Sequence, residues 1–225
     1  MNADHIKDRV SWAYNITARA VGRPADAFRA RGPHVPLSPA NRYLRLHAAF
    51  STAAGNFSRS QVYGSGLYVG YFDTAYTKVG DYLVQGPRTF FIAEQDDLLP
   101  TLCVRTNSTV SIRRPALPAT IGMSGYGGGR NDDTSLMTAW PASALGIGGG
   151  GQSQAGLPGD GSVPGWSVLL PAPAGIGLMV SDIVSDDQGR QGAIMAAELT
   201  HLVPRAGNFD ANSLKRQAAF PSWST

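Results

Sequence analysis

The sequence predicts a mainly β protein: small antiparallel β-barrel or sandwich units with an N-terminal helix and long Gly/Pro-rich loops or arms. Three observations lead there. Gly (27) and Pro (15) make up about a fifth of the 225 residues, against a usual ~12%. Only 16% of residues are charged, below the usual ~25%, with two Glu and three Lys in all, too few to solvate long helices. Short aromatic and β-branched runs alternate with turn residues from residue 44 onward. The same figures exclude a helical bundle or coiled coil. The single Cys103 excludes a disulfide scaffold and fits a reducing compartment. A hydrophobic content of 43%, with 8 Phe, 8 Tyr and 4 Trp, is enough to build a core and excludes disorder throughout.

The first 43 residues read as a helix and a Pro-rich connector arm. Ile6, Val10, Ala13, Tyr14, Thr17 and Val21 recur at helical spacing, Asp4 stands at an N-cap position, and Gly22 followed by Pro24 is a stop. A short helical turn is expected over Pro24 to Ala30. Pro33, Pro36 and Pro39 then predict a semi-rigid connector over 31–41 with no regular hydrogen bonds of its own.

Residues 44–114 read as a β-barrel unit. Leu44–Ala48 alternates, and Leu67–Phe72 is aromatic and β-branched. Tyr82–Val84 and Thr89–Ala93 flank Gln85–Arg88, a hairpin turn; Leu102–Thr106 and Thr109–Arg113 flank Asn107–Ser108, read as a second hairpin. Residues 115–165 read as a Gly-rich loop bracketed by Gly125–Gly129 and Gly146–Gly151. A second β unit covers 166–203, with strands at Trp166–Leu170, Ile183–Val184 and Ala193–Met195. It echoes the first: Val79-Gly80-Asp81-Tyr82-Leu83-Val84 resembles Val180-Ser181-Asp182-Ile183-Val184, each followed by a turn, a strand and an Ala-Glu pair. The C-terminal tail, 204–225, is polar with isolated Phe209, Phe220 and Trp223, aromatics expected to dock on the same chain or on a neighbour.

The formal charge of +3 is unevenly spread: residues 1–60 carry +6 and the remainder −3, and the basic residues are sixteen Arg against three Lys. Arg favours forked contacts at interfaces, so Arg9, Arg19, Arg23, Arg29 and Arg31 are candidate docking residues for an acidic partner; a solvated basic stretch is the alternative. No apolar run suggests a secretory signal or a membrane span, since Trp166–Val180 is short and interrupted by Pro171 and Pro173. A soluble, unprocessed chain is therefore expected.

No catalytic set, cofactor loop or metal site stands out. The four His are scattered, Gly122–Tyr126 lacks the final Gly of a nucleophile elbow, and no Gly run is followed by Lys-Ser/Thr. The acidic pairs Asp96–Asp97, Asp132–Asp133 and Asp186–Asp187 lack calcium-loop spacing and read as turn residues. An acid pair such as Asp81 with Glu94 could serve a glycosidase, but the two flank a hairpin and are better explained as a turn residue and a strand end.

Tyr71 to Val84, Arg88 to Ala93, Leu98-Leu99-Pro100 and Cys103 to Asn107 together resemble the small β-barrel proteins of tailed-bacteriophage necks, the head-closure or head-to-tail connector group. Asp186-Asp187-x-Gly189-Arg190 with Ala196 to Thr200 is similar to the prophage members of that group. The resemblance covers residues 1–203 and departs at Leu202-Val203-Pro204. It implies a non-enzymatic virion protein assembled in the bacterial host cytoplasm. Copies of itself would form a ring of six- or twelve-fold symmetry, between a portal or adaptor protein and tail proteins, with no membrane contact. The helix, the connector, the 115–165 loop and the tail are candidate arms reaching neighbours. Packaged DNA would pass through without sequence-specific contact, past acidic lumen residues for which Asp132 and Asp133 are candidates. Tail, baseplate or capsid-decoration proteins are the alternative, and a carbohydrate-binding module or hydrolase a more remote one.

Overall fold

The structure is a computed structural model and describes residues 3–52, 66–115, 133–147, 165–172, 176–199 and 212–219. A helix, α1 (Ala3–Val21), opens the chain. Six strands follow: β1 (Arg23–Phe28), β2 (Arg42–Thr52), β3 (Leu67–Tyr71), β4 (Tyr82–Gln85), β5 (Arg88–Glu94) and β6 (Thr101–Arg105). They close an antiparallel barrel in the order β1-β2-β3-β6-β5-β4. Five more, β7 (Ser108–Arg114), β8 (Thr134–Ile147), β9 (Gly165–Ala172), β10 (Ile183–Asp186) and β11 (Gln191–Leu199), form a curled sheet, and β12 (Asn212–Ala219) pairs with both its free edges. The order is then β7-β8-β9-β12-β11-β10, the neighbour order of the first barrel repeated strand for strand.

Alternation builds each wall. In β5, Phe90 and Ile92 point into the first barrel with Ala25, Ala27, Leu46, Phe72, Leu83 and Cys103. Phe91 and Ala93 point out and join a cluster containing Met137, Trp140, Val168, Val184 and Ile194 of the second barrel. Tyr82 fastens the two barrels: its ring meets Trp140 edge-on at 6.1 Å and its Oη donates to Pro141 O at 2.8 Å.

Closed walls explain the placement of proline. β4 pairs with β1 only from Asp26 on, β9 pairs with β8 only from Ser143 on, and β8 pairs with β9 only as far as Leu169. Pro24, Pro141 and Pro171 therefore all lie where a strand has one neighbour, so a missing N–H need not cost a rung.

Several expectations are corrected. Pro24–Ala30 is not a helical turn: residues 23–28 form β1, because Ala25 and Ala27 alternate into the core. The 44–114 barrel unit divides elsewhere. The first barrel begins at Arg23, and β7 belongs to the second. Asn107–Ser108 is not a hairpin turn but the crossing point. The Thr106 N–H donates to Thr89 O in the first barrel, whereas the Asn107 side chain brackets Ala144 N and O in the second. Part of the 115–165 loop is strand β8, in which Trp140 and Pro141 are buried. The connector 31–41 is hydrogen-bonded to that strand: Val35 N donates to Thr138 O, and Pro33 O accepts from Thr138 N and from Trp140 Nε1 at 2.6 Å. It is strapped to its own chain. In the tail, 212–219 is β12; Phe209, Phe220 and Trp223 lie outside the described residues.

Candidate assembly surface

The docking candidates separate into two kinds. Arg29 is engaged within its own chain. Its Nε and Nη2 fork onto Asp81 Oδ1 and Oδ2 at 2.8 and 2.7 Å, and Nη2 also donates to Tyr76 O. Asp81 is almost fully buried and takes two more donors, the Tyr43 hydroxyl and the Lys78 N–H. The guanidinium lies 4.5 Å over the Tyr43 ring. Bonding to Asp81 pushes the Arg29 pKa up, while burial and then the Asp81 bond push the Tyr43 phenol well above its ordinary 10.0. Both Asp81 oxygens are engaged, which is a poor state for one half of a glycosidase acid pair.

The same clasp recurs in the second barrel. Arg114 Nε and Nη2 donate to Asp182 Oδ1 and Oδ2 at 2.8 and 3.0 Å, and Nη2 also donates to Gly177 O. The Met179 N–H takes the place of Lys78 N–H on the buried carboxylate. Gly80 and Ser181 precede the two Asp residues, share a left-handed backbone (φ 91° and 78°), and donate to Ile92 O and Ile194 O. Ile92 N and Ile194 N return the bond to Asp81 O and Asp182 O. The internal echo in the sequence therefore corresponds to two copies of one fold unit, each clasped by an Arg that the echo did not contain.

Arg9, Arg19, Arg23 and Arg31 are exposed. Arg9 and Arg19 lie on α1, whose two faces are used in an unusual way. The face toward the barrel is largely polar: Ser11 bonds Thr74, Asn15 donates to Asp73, Lys7 pairs with Asp97, and Tyr14 reaches Leu98 O and stacks edge-on against Tyr71. Ala18 is buried at the closest approach. The helix can come that close because residue 22 is glycine, where a Cβ would sit 2.3 Å from Ala18 O and 2.6 Å from Ala48 O. The larger apolar residues Ile6, Trp12 and Ile16 point outward, Trp12 with 66% of its surface exposed. His5, Asp8, Arg9, Trp12 and Ala13 line an open depression of about 630 Å³ there. The sequence periodicity named Ile6 and Ala13 with Val10 and Tyr14 as one face; in the fold the first two lie on the outer side.

The acidic pairs Asp96–Asp97 and Asp186–Asp187 lie at turns. Asp96 Oδ1 accepts from Leu98 N, Asp97 meets Lys7, Asp186 holds Gln188 N and the Arg190 N–H and guanidinium, and Asp187 accepts from Ser108. Of the two lumen candidates, Asp132 lies outside the described residues, and Asp133 is ion-paired with Arg113 at 2.7 Å, which offsets its charge. Among the described residues no three His, Cys, Asp or Glu side chains group closely enough to hold a metal ion, and no helix is long and apolar enough to cross a membrane. Burial pushes the Cys103 thiol well above its usual range, the state of a packed, unreactive thiol. In comparison with protein-family models, curated proteins and solved structures, the chain matches none.

Proposed function

We propose that the protein is a structural virion protein of a tailed bacteriophage, an oligomeric ring subunit of the neck between portal and tail, assembled in the host cytoplasm. The observation that carries an assembly role is the outer face of α1. A helix that turns polar side chains to its own barrel and Ile6, Trp12 and Ile16 to solvent gains most of its apolar burial only when something covers that face. Exposed Arg9 beside Trp12, with exposed Arg19 two turns further on, gives it the Arg-plus-aromatic composition of interface hot spots. The neck assignment rests on the resemblance of residues 71–107 to connector barrels. The two barrels are fastened through Tyr82, and the ring would let DNA pass without reading its bases.

Gold-labelled antibody against the chain, applied to purified tailed particles of the producing strain, tests this. Label at the head–tail junction is the expected result. Label along the tail, at the baseplate or over the capsid would move the protein to that station, and particles that lack the protein altogether would overturn the virion role.

A further inference from the structure

Within the chain, each barrel is packed on its second and third strands by whatever precedes it. In the first barrel β2 and β3 receive α1; in the second, β8 and β9 receive β6 and β5 of the first barrel. The wall that the first barrel turns to the second is a row set by register, Phe28–Tyr82–Phe91–Val104 across β1, β4, β5 and β6, all packed in the joint cluster. Repeated topology gives the second barrel a matching row, Arg113–Ile183–Ala193–Ala219 across β7, β10, β11 and β12. Ala93, at the β5 bulge, is buried in the joint cluster; its counterpart Met195, at the same bulge in β11, is 52% exposed. Met179 and Val180, on the loop that Ser181 N–H ties to Ile194 O, are exposed as well. Among the described residues, the second barrel thus leaves open the wall that elsewhere makes a barrel-to-barrel joint. The N-terminal end leaves open the outer side of the helix occupying the receiving position.

We propose that these two surfaces meet between copies: the outer face of α1, centred on Trp12 and Ile16, seats on the outer wall of the second barrel of another copy around Ile183, Ala193 and Met195. The occupant is a second copy of this chain because the fold already makes the corresponding joint internally, with α1 standing where a preceding barrel would stand. Such a contact joins unlike surfaces, so it propagates head to tail and closes into a ring when the rotation allows. It supplies the subunit junction that the ring reading needs and rests on that reading only for closure. Its test is made on the purified chain and can fail while the virion location stands.

Trp12→Glu and Met195→Glu, both at exposed sites, are made separately in the full chain, with circular dichroism checking that each folds. Self-association is followed by sedimentation. The wild type is expected to associate, and each variant alone to do so at least about tenfold more weakly, as for loss of a central anchor. An equimolar mixture of the two variants retains one intact pair of surfaces and should give one-to-one dimers that grow no further. Should either variant not fold, Ile16→Cys and Met195→Cys proteins, mixed and oxidised, should form a disulfide-linked heterodimer in preference to either homodimer. The proposal is overturned if Met195→Glu associates like the wild type, if the mixture stays monomeric, if the wild type is monomeric, or if α1 instead binds phosphatidylglycerol vesicles without self-association.

Discussion

Arg114 grips Asp182 with the same two nitrogens, on the same two carboxylate oxygens, as Arg29 grips Asp81, and each guanidinium spends its Nη2 on the carbonyl five residues before the Asp. Seven hydrogen bonds recur around the two clasps, in barrels of identical neighbour order. The clasp ties the end of the first strand of each barrel to the start of the fourth. It holds a buried carboxylate, with four donors on Asp81 and three on Asp182, two of them in each case from a guanidinium that is itself part-exposed.

Asp81→Asn should destabilise the fold by about 2 kcal/mol, below the usual range for breaking a buried pair because Arg29 is 39% exposed and keeps water as a partner. Asp182→Asn should act in the same direction. Urea unfolding of the two variants checks this; an unchanged midpoint for either would remove the clasp from the account.

Tyr82→Ala should cost about 4 kcal/mol through the cavity it leaves between the barrels, and Tyr82→Phe about 1 kcal/mol for the lost bond to Pro141 O. The Ala variant should also split one unfolding transition into two, as the joint that couples the barrels is emptied. Calorimetry distinguishes a split from a uniform shift.

Alkali should unfold the protein from about pH 10 upward. The folded state raises the Tyr82 and Tyr43 phenols above their ordinary 10.0, chiefly by burial. That stability is complete below pH 10 and is lost as pH rises toward the folded values, because the unfolded chain ionises first. Phenolate absorbance at those residues should therefore appear only with unfolding, and Cys103 should resist thiol reagents until the same point. Titration before unfolding at Tyr82, seen by comparing the wild type with Tyr82→Phe, would contradict it.

Gly22→Ala should loosen α1, costing about 2 kcal/mol, since the added methyl meets backbone oxygens of Ala18 and Ala48. Faster proteolysis near residue 22 is the readout. Removing residues 1–21 should leave both barrels folded and abolish association, whereas removing 1–30 takes away β1 and should unfold the first barrel.

The strands with strong side-chain signatures were legible in the sequence: Leu67–Tyr71, the hairpin through Gln85–Arg88, and the echo at Asp81 and Asp182. What escaped is physically specific. β1 carries Pro24 and Asp26 and only small core residues, so its strand character lies in its pairing rather than in propensity. β8 is hidden by Pro141 and by glycine beyond it, and β12 contains no β-branched residue. The clasping Arg29 and Arg114 lie far in sequence from their partners, and a surplus of Arg read as docking charge was in one case structural. The signal that goes with the echo is a basic residue at the end of the first strand of each unit, Arg29 after β1 and Arg114 at the end of β7. The Gly and Pro excess also changes meaning: Pro24, Pro141 and Pro171 occupy single-neighbour stretches of strands, and Pro33 caps the joint to Trp140.

Negative-stain electron microscopy with light scattering on the purified full chain tests the central claim most directly. Closed rings of uniform diameter are expected, with a mass that is a whole multiple of the 23.7 kDa chain, and they are lost on Trp12→Glu. A stable monomer at high concentration, alone and with its neck partners, would contradict it.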